Sequence, residues 1–253
     1  FNGTSVAAHL QPDGALTCVT PPANGDSTLG ISATDVGSGG VDGGSGVGGD
    51  VSPFAPRAVL AAITINGQDY TSDALAFVYH DTPRVDSIYP RSGSLRGGAM
   101  VTVSGTGLTS GSQPRCRFGV GGTVAGSVRG AGQMLCHTPA TDFVLRSVPL
   151  EVSLNAQQYT TDHVPYAVYA HPSVASFSPD RGPIDGGTLV RIHGANFDGA
   201  PDLSVYHCRF GEAVTNATLV NRSLLTCITM PLIQGVHCLE VTQNGQDYTS
   251  ACV

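Results

Sequence analysis

Ile65-Asn66-Gly67-Gln68-Asp69-Tyr70-Thr71-Ser72 returns as Leu154-Asn155-Ala156-Gln157-Gln158-Tyr159-Thr160-Thr161 and again as Gln243-Asn244-Gly245-Gln246-Asp247-Tyr248-Thr249-Ser250, each copy 89 residues after the last. A fixed period of this length marks an array of equal structural units. Two copies hold Asn-Gly, the strongest short hairpin signal, because a tight turn needs φ > 0 where Asn and Gly tolerate it. Alternating residues flank the turn, Leu239-Glu240-Val241 before the third copy and Tyr248-Thr249 after its start. Each unit therefore carries a hairpin near its C-terminal edge.

Working outward, other signals keep the same register. Pro83-Arg84-Val85-Asp86-Ser87-Ile88-Tyr89-Pro90 and Pro172-Ser173-Val174-Ala175-Ser176-Phe177-Ser178-Pro179 open two units, again 89 residues apart. Each leads to a Gly-Gly pair, Gly97-Gly98 or Gly186-Gly187, and then to an alternating run. Val101 and Val103, like Val190 and Ile192, alternate with polar neighbours, the pattern of a half-buried antiparallel strand. Cys116-Arg117-Phe118-Gly119 with Leu135-Cys136-His137-Thr138-Pro139 returns as Cys208-Arg209-Phe210-Gly211 with Leu225-Thr226-Cys227-Ile228-Thr229-Met230-Pro231. Phe1 and Leu16-Thr17-Cys18-Val19-Thr20-Pro21 match the same signals, so the chain is expected to begin and end inside a repeat of something longer. No segment offers a sustained helical period.

Composition limits the functional classes. Net charge is −7 and all twelve basic residues are Arg. That balance argues against a nucleic-acid surface, which needs clustered positive charge. No apolar run reaches the roughly eighteen residues of a membrane span, so no direct membrane insertion is expected in this segment. Cys18 to Asn66 is 48 positions, against 19 from Cys136 to Asn155. The first unit thus carries an insertion of roughly thirty residues, beyond ordinary loop lengths. Its Gly-rich centre, 35–50, has almost nothing to bury and is expected to be a mobile surface loop.

The proline-bounded opening, the Gly-Gly pair, C-x-F-G, L-x-C-x-T/M-P and N-G-Q-x-Y together resemble the IPT/TIG domain, an immunoglobulin-like fold found in plexins, Met-type receptors, transcription factors and fibrocystin-like proteins. The resemblance covers the whole chain except the Gly-rich insertion. It implies an all-β chain of tandem immunoglobulin-like β-sandwiches, each of about seven short strands. Residues 1–81 are expected to form IPT/TIG repeat one, N-terminally incomplete and carrying the Gly/Ser-rich insertion near 23–58. Residues 82–170 form a complete repeat two, and 171–253 a C-terminally incomplete repeat three. Links such as Ala170-His171-Pro172 are short and proline-bounded, so the units are expected to stack end to end as a semi-rigid rod.

Recurring positions make Cys116–Cys136 and Cys208–Cys227 the expected intradomain disulfides, each worth roughly 3 kcal/mol on loop entropy. Free buried thiols are the competing reading. Cys18 is expected to lack a partner within the chain. Cys238 and Cys252 each lie seven residues from Gly245. They are expected to staple the hairpin by a disulfide, which requires a connection with an odd number of residues; a two-residue turn aims them to opposite faces. Sequons stand at Asn2, Asn216 and Asn221, which with the cysteine pattern point to a secreted or cell-surface glycoprotein.

A search for chemistry finds none. Gly44-Ser45-Gly46-Val47-Gly48-Gly49 matches G-x-G-x-x-G but follows no strand and opens no helix, so low complexity explains it better. Histidines lack metal-ligand spacing, and His193 reads as solvated surface. Asp180, Asp185, Asp198 and Asp202 read as loop solvation ahead of a calcium site. No catalytic, cofactor or metal residue is named and no cofactor is expected.

The function expected from this reading is a non-enzymatic structural or adhesive segment of a large extracellular protein. Its partners are other repeats of the same chain and other extracellular proteins or copies of itself. Fibrocystin-like resemblance adds a ciliary or flagellar surface by analogy. The alternative is an accessory module of a secreted carbohydrate-active enzyme. A third use of the fold, DNA binding, conflicts with the charge and the cysteines.

Overall fold

The computed structural model describes residues 5–20, 57–73, 75–109, 111–130, 132–142, 147–199 and 205–250. Strands dominate, and a 3-10 turn spans Gly119–Gly121. The chain divides into two compact units, Phe1–Asp81 and Thr82–Val253. Residues 35–50 of the insertion lie outside the described residues.

In the first unit β1 (Ala8–Leu10) and β2 (Leu16–Cys18) form an antiparallel pair with Ala8 opposite Cys18. A second antiparallel pair, β3 (Arg57–Ala61) and β4 (Leu75–Tyr79), encloses the first copy of the repeated hairpin, in which Thr64 bridges Tyr70. Cys18 is exposed and has no disulfide partner among the described residues.

The second unit begins with β5 (Arg84–Tyr89), β6 (Ser92–Ser94), β7 (Met100–Thr106), β8 (Arg115–Phe118), β9 (Thr123–Val128), β10 (Gln133–His137), β11 (Val148–Ser153) and β12 (Val164–Tyr169). These pair in the order β5-β7-β10-β9-β8-β11-β12-β6, antiparallel except for the parallel pair β12 and β6. β9 is the fold point. Its first half, 123–125, pairs with β8, and its second half, 126–128, pairs with β10. The hydrogen-bonded run therefore turns over, so that inward side chains from both sides meet in one core. Val101, Val103, Phe118, Met134, Leu150 and Val152 fill it, all at most 2% exposed. Each such side chain contributes about 1.5–3 kcal/mol by leaving water. Cys116 on β8 is bonded to Cys136 on β10 across this core, with Cα atoms 6.3 Å apart.

The next repeat follows the same plan with β13 (Ser173–Ser178), β14 (Leu189–Ala195), β15 (His207–Phe210), β16 (Ala213–Asn221), β17 (Leu224–Ile228) and β18 (Leu239–Thr242), ordered β13-β14-β17-β16-β15-β18. β16 switches partners as β9 does, from β15 at 213–216 to β17 from Ala217 onward. Cys208 on β15 is bonded to Cys227 on β17, with Cα atoms 6.4 Å apart. Val190 and Ile192 point into the core and their neighbours Arg191 and His193 point out, as the alternation requires.

Candidate functional site

The repeated motif is a hairpin organised by its Asn. In the third copy Asn244 Oδ1 accepts from the backbone N–H of Gln246 (3.0 Å) and Asp247 (2.8 Å), while Nδ2 donates to Asp247 Oδ2 at 2.7 Å. The first copy repeats these bonds: Gln68 and Asp69 donate to Asn66 Oδ1, and Asn66 Nδ2 donates to Asp69 Oδ2. In the second copy Asn155 serves the same donors, with Gln158 Oε1 replacing the carboxylate. A Thr then closes each hairpin, its hydroxyl accepting from Ile63, Val152 or Val241 N at 3.1 Å. The side-chain amide thus imitates a backbone turn.

This differs from a two-residue Asn-Gly turn. Thr242 bridges Tyr248, so the connection is residues 243–247, an odd number centred on Gly245. Positive φ is confined to the residue after Asn: Gly67 at 75°, Ala156 at 62° and Gly245 at 74°. The Asn contributes its side chain and leaves the left-handed conformation to its neighbour. Cys238 is disulfide-bonded, while Cys252, its expected partner, lies outside the described residues.

The third hairpin is also where two repeats meet. Thr242, Gln243 and Asn244 are fully buried. Asn244 Nδ2 reaches across to donate to the backbone O of Ser92 in the preceding repeat at 3.2 Å. Gln243 stands where repeat two has the core residue Leu154. Its Nε2 donates to Asn196 O, and its Oε1 accepts from Tyr206 Oη at 3.2 Å. Asn196 Nδ2 in turn donates to His171 O in the link at 3.0 Å. Tyr169 ends β12 yet packs within the core of the next repeat, 1% exposed, while its carbonyl accepts from Leu95 N at 2.9 Å. His171 Nδ1 lies 3.2 Å from Ser94 Oγ.

Charge at this junction follows burial. Tyr166 and Tyr169 are driven far above the ordinary phenol range, first by burial and then by the Asp247 carboxylate. Burial and Arg96 lower the His171 pKa, and Asp247 partly opposes them. The lowered pKa favours neutral His171 near pH 7, where both tyrosines are neutral in any case.

A second recurring group lies on the outward face of each sheet. Arg117 stacks over the Tyr159 ring at 4.2 Å and Arg209 over Tyr248 at 4.1 Å. These are the Arg of C-R-F-G and the Tyr of the hairpin motif, so the stack explains why both recur. Cation–π contacts at such partly exposed sites contribute about 0.5–1 kcal/mol. Arg209 also donates through Nε to Glu240 Oε2 at 2.8 Å. At the matching place Glu151 is buried and accepts instead from Thr160 Oγ1 and from His163 N at 2.9 Å. Arg117, Arg209, Glu151, Glu240, Tyr169 and Gln243 carry this arrangement, and none was singled out from sequence. Their signals were the shared period and the exchange of Leu154 for Gln243.

Of the sequon residues, Asn2 lies outside the described residues. Asn216 is exposed on β16, and Asn221 is exposed at its end, where Oδ1 accepts from Ser223 N and Oγ, both at 2.9 Å.

The profile of the IPT/TIG domain family matches residues 83–168 and 172–253. The chain belongs to this family. Human fibrocystin-L is 26% identical over 251 residues, 98% of this chain and 6% of that protein. Mouse plexin-A2 is 29% identical over 152 residues, 59% of this chain and 8% of that protein. The chain thus spans less than a tenth of either relative. The solved plexin A4 full extracellular region aligns over 66% of this chain and 15% of that one, at 16% identity and TM-score 0.45. The two matched segments divide between Val168 and Pro172, so the Tyr169–His171 link lies between two IPT/TIG domains.

Proposed function

We propose that this chain is a non-enzymatic rod segment of a large extracellular or cell-surface glycoprotein, acting through protein–protein contacts. The observation that carries the reading is the junction between β12 and β13. It buries a Tyr from one repeat in the core of the next and closes over them with hydrogen-bonded side chains. Such a joint resists bending, because hinging it exposes Tyr169 and breaks the bonds of Gln243 and Asn244. Cross-core disulfides in both repeats fit an oxidising compartment. Asn216 and Asn221, both exposed, fit enzymatic glycosylation there. Residues 1–81 enter this reading as a further IPT/TIG repeat, and the ciliary or flagellar surface as one location of such a glycoprotein.

The test is surface labelling in the source cells. An antibody raised against the folded chain should stain unpermeabilised cells, and external protease should remove the signal. Deglycosylation should lower the mass of peptides containing Asn216 or Asn221. Staining that appears only after permeabilisation overturns the reading.

A further inference from the structure

Asn-Gly pairs stand in the chain at Asn2, Asn24, Asn66 and Asn244. The first two lie outside the described residues. The other two open stretches of identical sequence, Asn66–Ser72 and Asn244–Ser250, and make the same local bonds. Gly67 N donates to Thr64 Oγ1 at 3.0 Å and Gly245 N to Thr242 Oγ1 at 3.1 Å. In each copy the Asn Oδ1 accepts from the next two backbone N–H groups after the Gly.

An Asn followed by Gly carries an electrophile beside a nucleophile, and no Cβ crowds the glycine nitrogen. That nitrogen gives its proton to solvent and attacks Asn Cγ. The N–Cγ bond forms, the Cγ–Nδ2 bond breaks, and Nδ2 leaves as ammonia with a proton taken from water. Water then opens the resulting succinimide at either ring carbonyl. Cleavage at Cγ leaves Asp; cleavage at the other carbonyl leaves isoaspartate, whose main chain runs through Cγ. The folded turn opposes the attack, because the Thr hydroxyl holds the attacking N–H and the turn holds the amide. Reaction therefore waits on local opening, and the rate follows what opening costs. Hairpin 66–72 is exposed, so its opening exchanges local bonds for water. Asn244 is buried and donates to Ser92 O at 3.2 Å, so its opening also breaks into the joint.

We propose that Asn66 is a modification site, converting without an enzyme to Asp and isoaspartate in the folded chain, and that burial protects Asn244 from the same reaction. Conversion removes the bond from Asn66 Nδ2 to Asp69 Oδ2, 2.7 Å long, and sets a new carboxylate against Asp69. In the isoaspartate form the carbonyl that accepted two N–H groups becomes main chain, so the turn loses its side-chain cap. The site rests on hairpin 66–72 and stands whether or not the chain is extracellular.

The test holds the whole folded chain at mildly alkaline pH and digests it at intervals. Peptides containing Asn66 and Asn244 are scored for acid by mass spectrometry and for isoaspartate by isoaspartyl methyltransferase labelling. A reduced sample in urea gives the rates of the open stretches. In the folded chain Asn66 should convert at least about tenfold faster than Asn244, the ratio that about 1.4 kcal/mol of extra opening free energy gives. In urea the two rates should converge. Gly67→Ala, whose Cβ meets nothing within 4 Å, should slow conversion at Asn66 and leave Asn244 unchanged. Comparable rates in the folded chain overturn the proposal. So does an Asn66 that keeps its amide while the urea sample converts, or a folded Gly67→Ala chain that converts as fast as the unaltered one. Should that variant fail to fold, the two asparagines of the unaltered chain decide by themselves.

Discussion

Gly67 and Gly245 occupy the same turn position with φ of 75° and 74°, yet their surroundings differ. A Cβ at Gly67 meets nothing within 4 Å, whereas at Gly245 it falls 3.0 Å from Tyr89 Oη. Gly67→Ala therefore carries only the left-handed backbone cost, about 1–2 kcal/mol, and Ala156 shows that the turn accepts Ala at φ 62°. Gly245→Ala carries the same backbone cost and must also displace the Tyr89 hydroxyl. Urea unfolding of the two variants should place Gly245→Ala below Gly67→Ala. Equal losses refute the close approach.

At the scale of the element, the third hairpin and its link offer two measurements. Cys238 and Cys252 are equidistant from Gly245, and the odd-numbered connection removes the geometric objection to a bridge between them. Non-reducing peptide mapping should recover Cys238 joined to Cys252, and joining of Cys238 to any other cysteine refutes it. His171 provides the second. Burial and Arg96 lower its folded pKa, so the unfolded chain binds a proton more readily than the folded one. The stabilising contribution of neutral His171 is thus fully present above the unfolded histidine value of about 6.5 and diminishes as pH falls through it. Between pH of about 7.5 and about 5.5 the unfolding midpoint should fall more in the native chain than in His171→Gln. Identical pH profiles leave His171 with no part in the junction.

Across the whole second unit, Tyr169 couples one repeat to the next. Truncating a buried aromatic costs about 3–5 kcal/mol. Here the cost falls on repeat three and on the joint, while the core of repeat two keeps Val101, Phe118 and Leu150 intact. Tyr169→Ala should broaden thermal unfolding or split it into two transitions, and small-angle scattering should report a wider range of inter-repeat angles. One sharp transition with unchanged scattering contradicts the coupling. The period, the strand alternation at Val101/Val103 and Val190/Ile192, and the recurring cysteines were legible in sequence because each depends on local spacing. Arg117 over Tyr159 and Gln243 inside the joint were not, since both contacts span separate strands and follow from how the sheets lie together.

The seven residues Asn66–Ser72 and Asn244–Ser250 make the division plain, because they are identical in sequence. Sequence alone determined their turn: the Asn amide takes the same two backbone N–H groups in both, and Thr closes both hairpins. Only the tertiary structure decided burial. Residues 66–72 are exposed, whereas Asn244 and Thr249 are buried and Asn244 Nδ2 gains the carbonyl of Ser92. The turn follows from bonds within a few residues of chain. The burial depends on a surface brought up from 152 residues away, which no local pattern records.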